Sequence, residues 1–241
     1  MSLSDQKKLL VRLRVALSGE STLWLKDFAE PSSVSPEGGL ALLSRVFATS
    51  LNELSRRRED ETDTRDVIGV ISEAVKSVRA IVNTFPGINL VVRRDANSRI
   101  LRRLIEVLAL LSARTFRPLD TPDEDAYGRV GVRSSTEGDS PDELAEARQL
   151  RHEIIRILAV VAIVKPGMHE SFNIDISGAQ RMLLDLTAVG EKLGQPRLKP
   201  IIAAFGRSRQ DLDVLCRLMA FVNLLINHGD EELTDEQASV S

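Results

Sequence analysis

No stretch of this chain alternates apolar and polar residues as a half-buried strand must, whereas helical spacing recurs from end to end. The clearest case begins at Val67. The apolar residues Val67, Ile71, Ala74, Val75, Val78, Ile81 and Val82 share one face of a helix, with Thr62, Asp63 and Thr64 as candidate N-caps and Pro86-Gly87 as the stop. A second helix is expected over Asn97–Ser112, with Ile100, Leu101, Leu104, Ile105, Leu108 and Leu111 turned inward. A third starts at Ser140-Pro141-Asp142-Glu143, a cap followed by a proline in the first turn, and runs to Val164 before Pro166-Gly167. Its second half, Ile154 to Val164, is apolar on nearly every side, so neighbours must enclose it. Further helices are expected at Asp5–Leu17, Thr22–Glu30, Pro36–Arg58, Ala179–Leu193, Leu198–Phe205 and Asp211–Asn227. The fold class is all-α.

The long helices end alike. Ala80-Ile81-Val82-Asn83 is echoed by Ala220-Phe221-Val222-Asn223, and Val160-Val161-Ala162-Ile163 holds the same place before its own Pro-Gly stop. Three long helices in equivalent positions, each preceded by shorter ones, suit a right-handed armadillo-like α-solenoid of stacked three-helix repeats, in which each unit closes its core on the next. The sequence divides accordingly. Residues 1–35 complete the first repeat, 36–233 form the repeat domain, and 234–241 are a polar tail. Residues 117–140, rich in Pro, Gly, Ser and Thr, are expected to be a mobile insertion.

In such a stack the third helix of each unit lines the concave face. The pairs Ala80 and Asn83, Val160 and Ile163, and Ala220 and Asn223 are each one turn apart on one side of their helices. A groove assembled from them would offer Val160 and Ile163 as an apolar floor, Asn83 and Asn223 as amides, and Lys76 and Arg156 as cations for acidic groups of a ligand. The same residues also suit a structural role, with the asparagines bridging backbone groups between units and Val160 and Ile163 in the core.

Composition narrows the function classes. The 241 residues carry a net charge of -3 and 4% aromatics, which gives no basic or stacking surface for nucleic acid. No apolar run is long enough for a membrane span. The single cysteine, Cys216, rules out an internal disulfide and sits on an apolar helix, where an inert core position is expected. His152, His169 and His228 are scattered over three segments without metal-ligand spacing. No catalytic constellation, cofactor motif or metal site is expected, and the chain reads as a non-enzymatic, cytoplasmic protein-binding module.

Several segments resemble the N-terminal regulatory region of diaphanous-type formins, the GTPase-binding and FH3 inhibitory domain. They are Leu13-Arg14-Val15-Ala16-Leu17-Ser18, then Trp24-Leu25-Lys26-Asp27-Phe28, then Gly38-Gly39-Leu40-Ala41-Leu42-Leu43. Val78 to Asn83 followed by Gly87-Ile88-Asn89-Leu90-Val91, the helix Ile154 to Val164, and Phe221 to Asn227 followed by Glu231-Glu232-Leu233 continue the likeness in order to residue 233. The resemblance implies an armadillo fold whose concave surface binds the formin's own C-terminal autoregulatory amphipathic helix. That contact holds actin assembly inactive until a Rho-family GTPase relieves it. Asn83, Val160, Ile163 and Asn223 match the family's groove positions, with Ala80, Lys76 and Arg156 beside them. The family's GTPase contacts also use a segment upstream of the Leu13 motif, so this stretch is expected to hold only part of that site. A monomer associated with the actin cytoskeleton is implied. The alternative is a generic armadillo adaptor that binds an unrelated peptide or helix.

Overall fold

A computed structural model describes residues 2–19, 22–31, 36–56, 64–93, 99–114, 141–166, 176–207 and 212–229. Among them every regular element is a helix: α1 (Leu3–Gly19), α2 (Thr22–Ala29), α3 (Gly39–Arg56), α4 (Thr64–Val82), α5 (Phe85–Val92), α6 (Ile100–Arg114), α7 (Pro141–Ala162), α8 (Gly178–Leu193), α9 (Lys199–Arg207) and α10 (Leu212–Gly229). The insertion expected at 117–140 and the tail at 234–241 lie outside the described residues. No described helix is long and apolar enough to cross a membrane.

Sequence reading places a stop at Pro86-Gly87, but the structure starts a helix there. Thr84 is extended and caps α5: its hydroxyl accepts from the Gly87 N–H and donates to the Ile81 carbonyl, at 3.2 and 3.0 Å. Proline lacks only an N–H that the first helical turn leaves unpaired anyway, so Pro86 ends α4 and opens α5 together.

Packing is periodic in three. Helix α1 lies on α4, α4 on α7, and α7 on α10; α3 lies on α6 and α6 on α9; α2 lies on α5. A continuous apolar core runs through the stack, from Leu10 and Leu17 of α1 to Leu218, Phe221 and Leu225 of α10. Helix α4 is buried on most of its circumference because α1, α3, α5 and α7 all press on it.

The long helices are also linked by a repeated charge motif. Arg14 of α1 donates to Glu73 of α4 at 3.0 Å, and Arg79 of α4 donates to Glu153 of α7 at 2.7 Å. Each acid has a second cation one turn on in its own helix, Lys76 at 2.7 Å and Arg156 at 3.6 Å. Burial would raise the Glu73 carboxyl, but the hydrogen bond and charge of Lys76, with the charge of Arg14, outweigh it and hold the group below its ordinary range.

A buried carboxylate joins the outer layer in the same way. Glu106 of α6 accepts from Lys192 of α8 at 2.9 Å and from Arg103 at 2.6 Å. Burial pushes its carboxyl up, and the hydrogen bonds and charges of Lys192 and Arg103 pull it further down, so the net shift is downward. A lowered carboxyl contributes stability that is full at neutral pH and is lost as the pH falls through its folded-state value. Glu106→Gln should therefore cost about 2 kcal/mol at neutral pH, much of it from leaving Arg102, Arg103 and Lys192 without their shared acid. In urea titrations over a range of pH, the gap between the two proteins should narrow below the ordinary glutamate range.

Helix α10 differs from the other long helices. Val214, Leu218, Phe221 and Leu225 are buried, while Leu212, Met219 and Ile226 on its far side are exposed. Cys216 is exposed with them rather than in the core. The helix is apolar on two faces, and α7, α8 and α9 cover only one.

Candidate functional site: a groove between the long helices

An open groove of about 520 Å³ lies between the C-terminal halves of α4 and α7, and α10 helps to line it. From α4 and the turn after it come Arg79, Val82 and Asn83, from α7 and the turn after it Arg156, Ile157, Ala159, Val160 and Ile163, and from α10 Arg217. Val160 and Ile163 are 41% and 51% exposed, although the residues between and around them, Ile157, Leu158, Val161, Ala162 and Val164, are buried. Helix α7 is therefore enclosed by its neighbours everywhere except along this face. That disposes of a core role for Val160 and Ile163.

The residues singled out by sequence divide into two groups. Asn83, Arg156, Val160 and Ile163 meet in the groove. Ala80, Lys76 and Asn223 do not line it. Ala80 is 8% exposed and packs into the core within α4, whereas Asn83, one turn on, lies past the last helical residue Val82 and is exposed. The Lys76 ammonium is held by Glu73, beside Arg14 of α1. Asn223 is exposed on α10, where its Oδ1 accepts from Asn227 Nδ2 at 3.1 Å within the same helix.

Sequence reasoning missed Arg79 and Arg217. For Arg79 a signal was available. Glu73 and Lys76 stand in the same register as Glu153 and Arg156, at the offset that relates Ala80 to Val160. An acid repeated at that offset marks the seam where the preceding long helix must supply a cation, and Arg79 does so. Arg217 carries no comparable mark.

Two tight helix joints hold the groove's floor in place. Gly87 of α5 lies against the carbonyl oxygen of Ile81, and Gly178 of α8 lies against that of Val161, so closely that a Cβ on either glycine would overlap the oxygen. Ile81 and Val161 are themselves equivalent in the repeated sequence. Beside the second joint, the Gly178 N–H donates to the Val164 carbonyl at 2.9 Å, and Ser177 and Gln180 form a reciprocal capping box. In both places the helix that follows is anchored to the last turn of the long helix, next to Asn83 in one case and Ile163 in the other.

No family model matches the chain, and no curated protein matches it.

Proposed function

We propose that this chain is the non-catalytic regulatory module of a diaphanous-type formin. In this reading it is an armadillo-like right-handed solenoid of three-helix repeats, and its concave groove binds the formin's C-terminal autoregulatory amphipathic helix. Binding holds actin assembly off in the cytoplasm, and a Rho-family GTPase relieves it. The observation that carries the reading is the meeting of Asn83, Arg156, Val160 and Ile163 in one groove. Asn83 and Ile163 share a register in the repeated sequence, and Asn83, Val160 and Ile163 match the family's groove positions, with Arg156 beside them. Packing of each helix on the third one along, and the recurrence of the Glu73 and Glu153 seam, support the repeat architecture. An open groove with two exposed aliphatic residues on its floor suits the apolar stripe of a helix better than a small polar ligand.

The test is calorimetric titration of the chain with a peptide spanning the regulatory helix of the same parent protein. Saturable one-to-one binding, reversed by a GTP-loaded Rho-family protein, is expected. Absence of binding to a correctly folded chain would remove the formin reading.

A further inference from the structure

Helix α10 carries two seams. Val214, Leu218, Phe221 and Leu225 are spaced four, three and four residues apart and are buried where α7 and α8 pack on the helix. Leu212, Cys216, Met219, Asn223 and Ile226 are spaced four, three, four and three residues apart, and all five are exposed. At helical pitch those five fall within about 80° of arc, on the side opposite the first seam. Alternating steps of four and three are the spacing with which one helix lies along another. The inner seam is filled by helices of the same chain, and the outer one repeats its spacing in water.

The polar members of the outer seam select its partner. In coiled-coil terms Cys216 and Asn223 stand at a, and Leu212, Met219 and Ile226 at d. An apolar residue opposite Asn223 would bury its amide unpaired, whereas a second asparagine both donates to it and accepts from it. The residues that flank the seam, Leu215, Ala220, Val222 and Asn227, are uncharged, so two copies meet there without like charges face to face. Because the two seams lie on opposite sides of the helix, the bodies of paired copies point away from each other. We propose that this face pairs with the same face of a second copy of the chain, parallel and in register, with Asn223 against Asn223 and Cys216 against Cys216. This departs from the monomer that the family resemblance implies. It does not depend on what fills the groove, to which α10 contributes Arg217 from outside the seam. Two helices of 18 residues, each about 27 Å long, bury together on the order of 1,000 Å², at the low end of specific interfaces. Association is therefore weak, and dilute chains are single.

Sedimentation equilibrium of the full chain, from about 1 to about 200 µM, should show monomers and dimers exchanging with a dissociation constant of about 10 µM. Met219→Lys should weaken this at least 100-fold, to about 1 mM, by setting two ammonium groups against each other in the seam. Helicity by circular dichroism should not change, because the Met219 side chain is 64% exposed in the single copy. In the unaltered protein, diamide should join the two Cys216 thiols as a disulfide, its N=N bond taking up both hydrogens. A parallel pair brings these a positions within reach of the roughly 5.5 Å between Cα atoms that a disulfide spans. A monomer at every concentration would overturn the proposal. So would a dimer indifferent to Met219→Lys, which places the contact elsewhere, or a dimer that diamide leaves unlinked, which excludes the parallel register.

Discussion

Gly178→Ala is expected to lower the stability of the protein by about 3 kcal/mol, and to lower its melting temperature by roughly 10 °C. In an ordinary helix the same change is favourable by about 1 kcal/mol, because glycine loses more backbone freedom than alanine. Here the new methyl would occupy the space of the Val161 carbonyl oxygen, a backbone atom that cannot rotate aside. Relief requires α8 to move off the end of α7. That would stretch the Gly178 N–H bond to Val164 and disturb the Ser177 and Gln180 cap. Gly87→Ala should behave similarly against Ile81. Gly19→Ala is the control, since nothing lies within 4 Å of the added methyl and only the favourable helical effect remains. Thermal unfolding of the three variants, followed by circular dichroism, separates the predictions by sign. A neutral Gly178→Ala would mean that the joint is loose.

Ile163→Glu should weaken the binding of a groove-seated helix by 100-fold or more, about 3 kcal/mol, with little change in stability. The side chain is half exposed in the free protein, so a glutamate there stays hydrated until a ligand covers it. Binding would then bury a carboxylate against apolar side chains. Val160→Asp should act in the same direction but less strongly. Arg156 lies one turn earlier on the same helix and would offset part of the new charge. Titration against the regulatory peptide measures both, and unaltered affinity in a folded Ile163→Glu protein would place the ligand elsewhere.

The parts of this architecture that were legible in the sequence are those where local and global preferences agree. The helix at Val67–Val82 follows from apolar spacing, whereas Ile154–Val164, apolar nearly all round, reads as helix because no turn signal separates it from the cap at Ser140-Pro141. Helix α5 was obscured because one proline serves two helices, and its stop signal is louder than its start signal. In the groove, Val160 and Ile163 stood out because they interrupt no pattern and yet follow the register of Asn83. Their exposure, however, depends on which neighbours pack beside that face, which no spacing encodes. Asn223 and Ala220 were carried over from that same register to α10, but the groove takes Arg217 instead. A helix apolar on two faces does not say which face its neighbours will choose, and for the same reason Cys216 was misplaced in the core.

That two-faced helix has a consequence for how the molecule comes apart. Helix α4 is pressed by α1, α3, α5 and α7, whereas among the described residues half of the large apolar side chains left in water belong to α8, α9 and α10. Local free energy follows the packing that supports each element, so opening begins where that support is least instead of striking everywhere at once. Amide hydrogens of α10 should accordingly exchange before those of α4, with α7 between them, and the wave of opening would reach the groove's Arg217 edge before its floor.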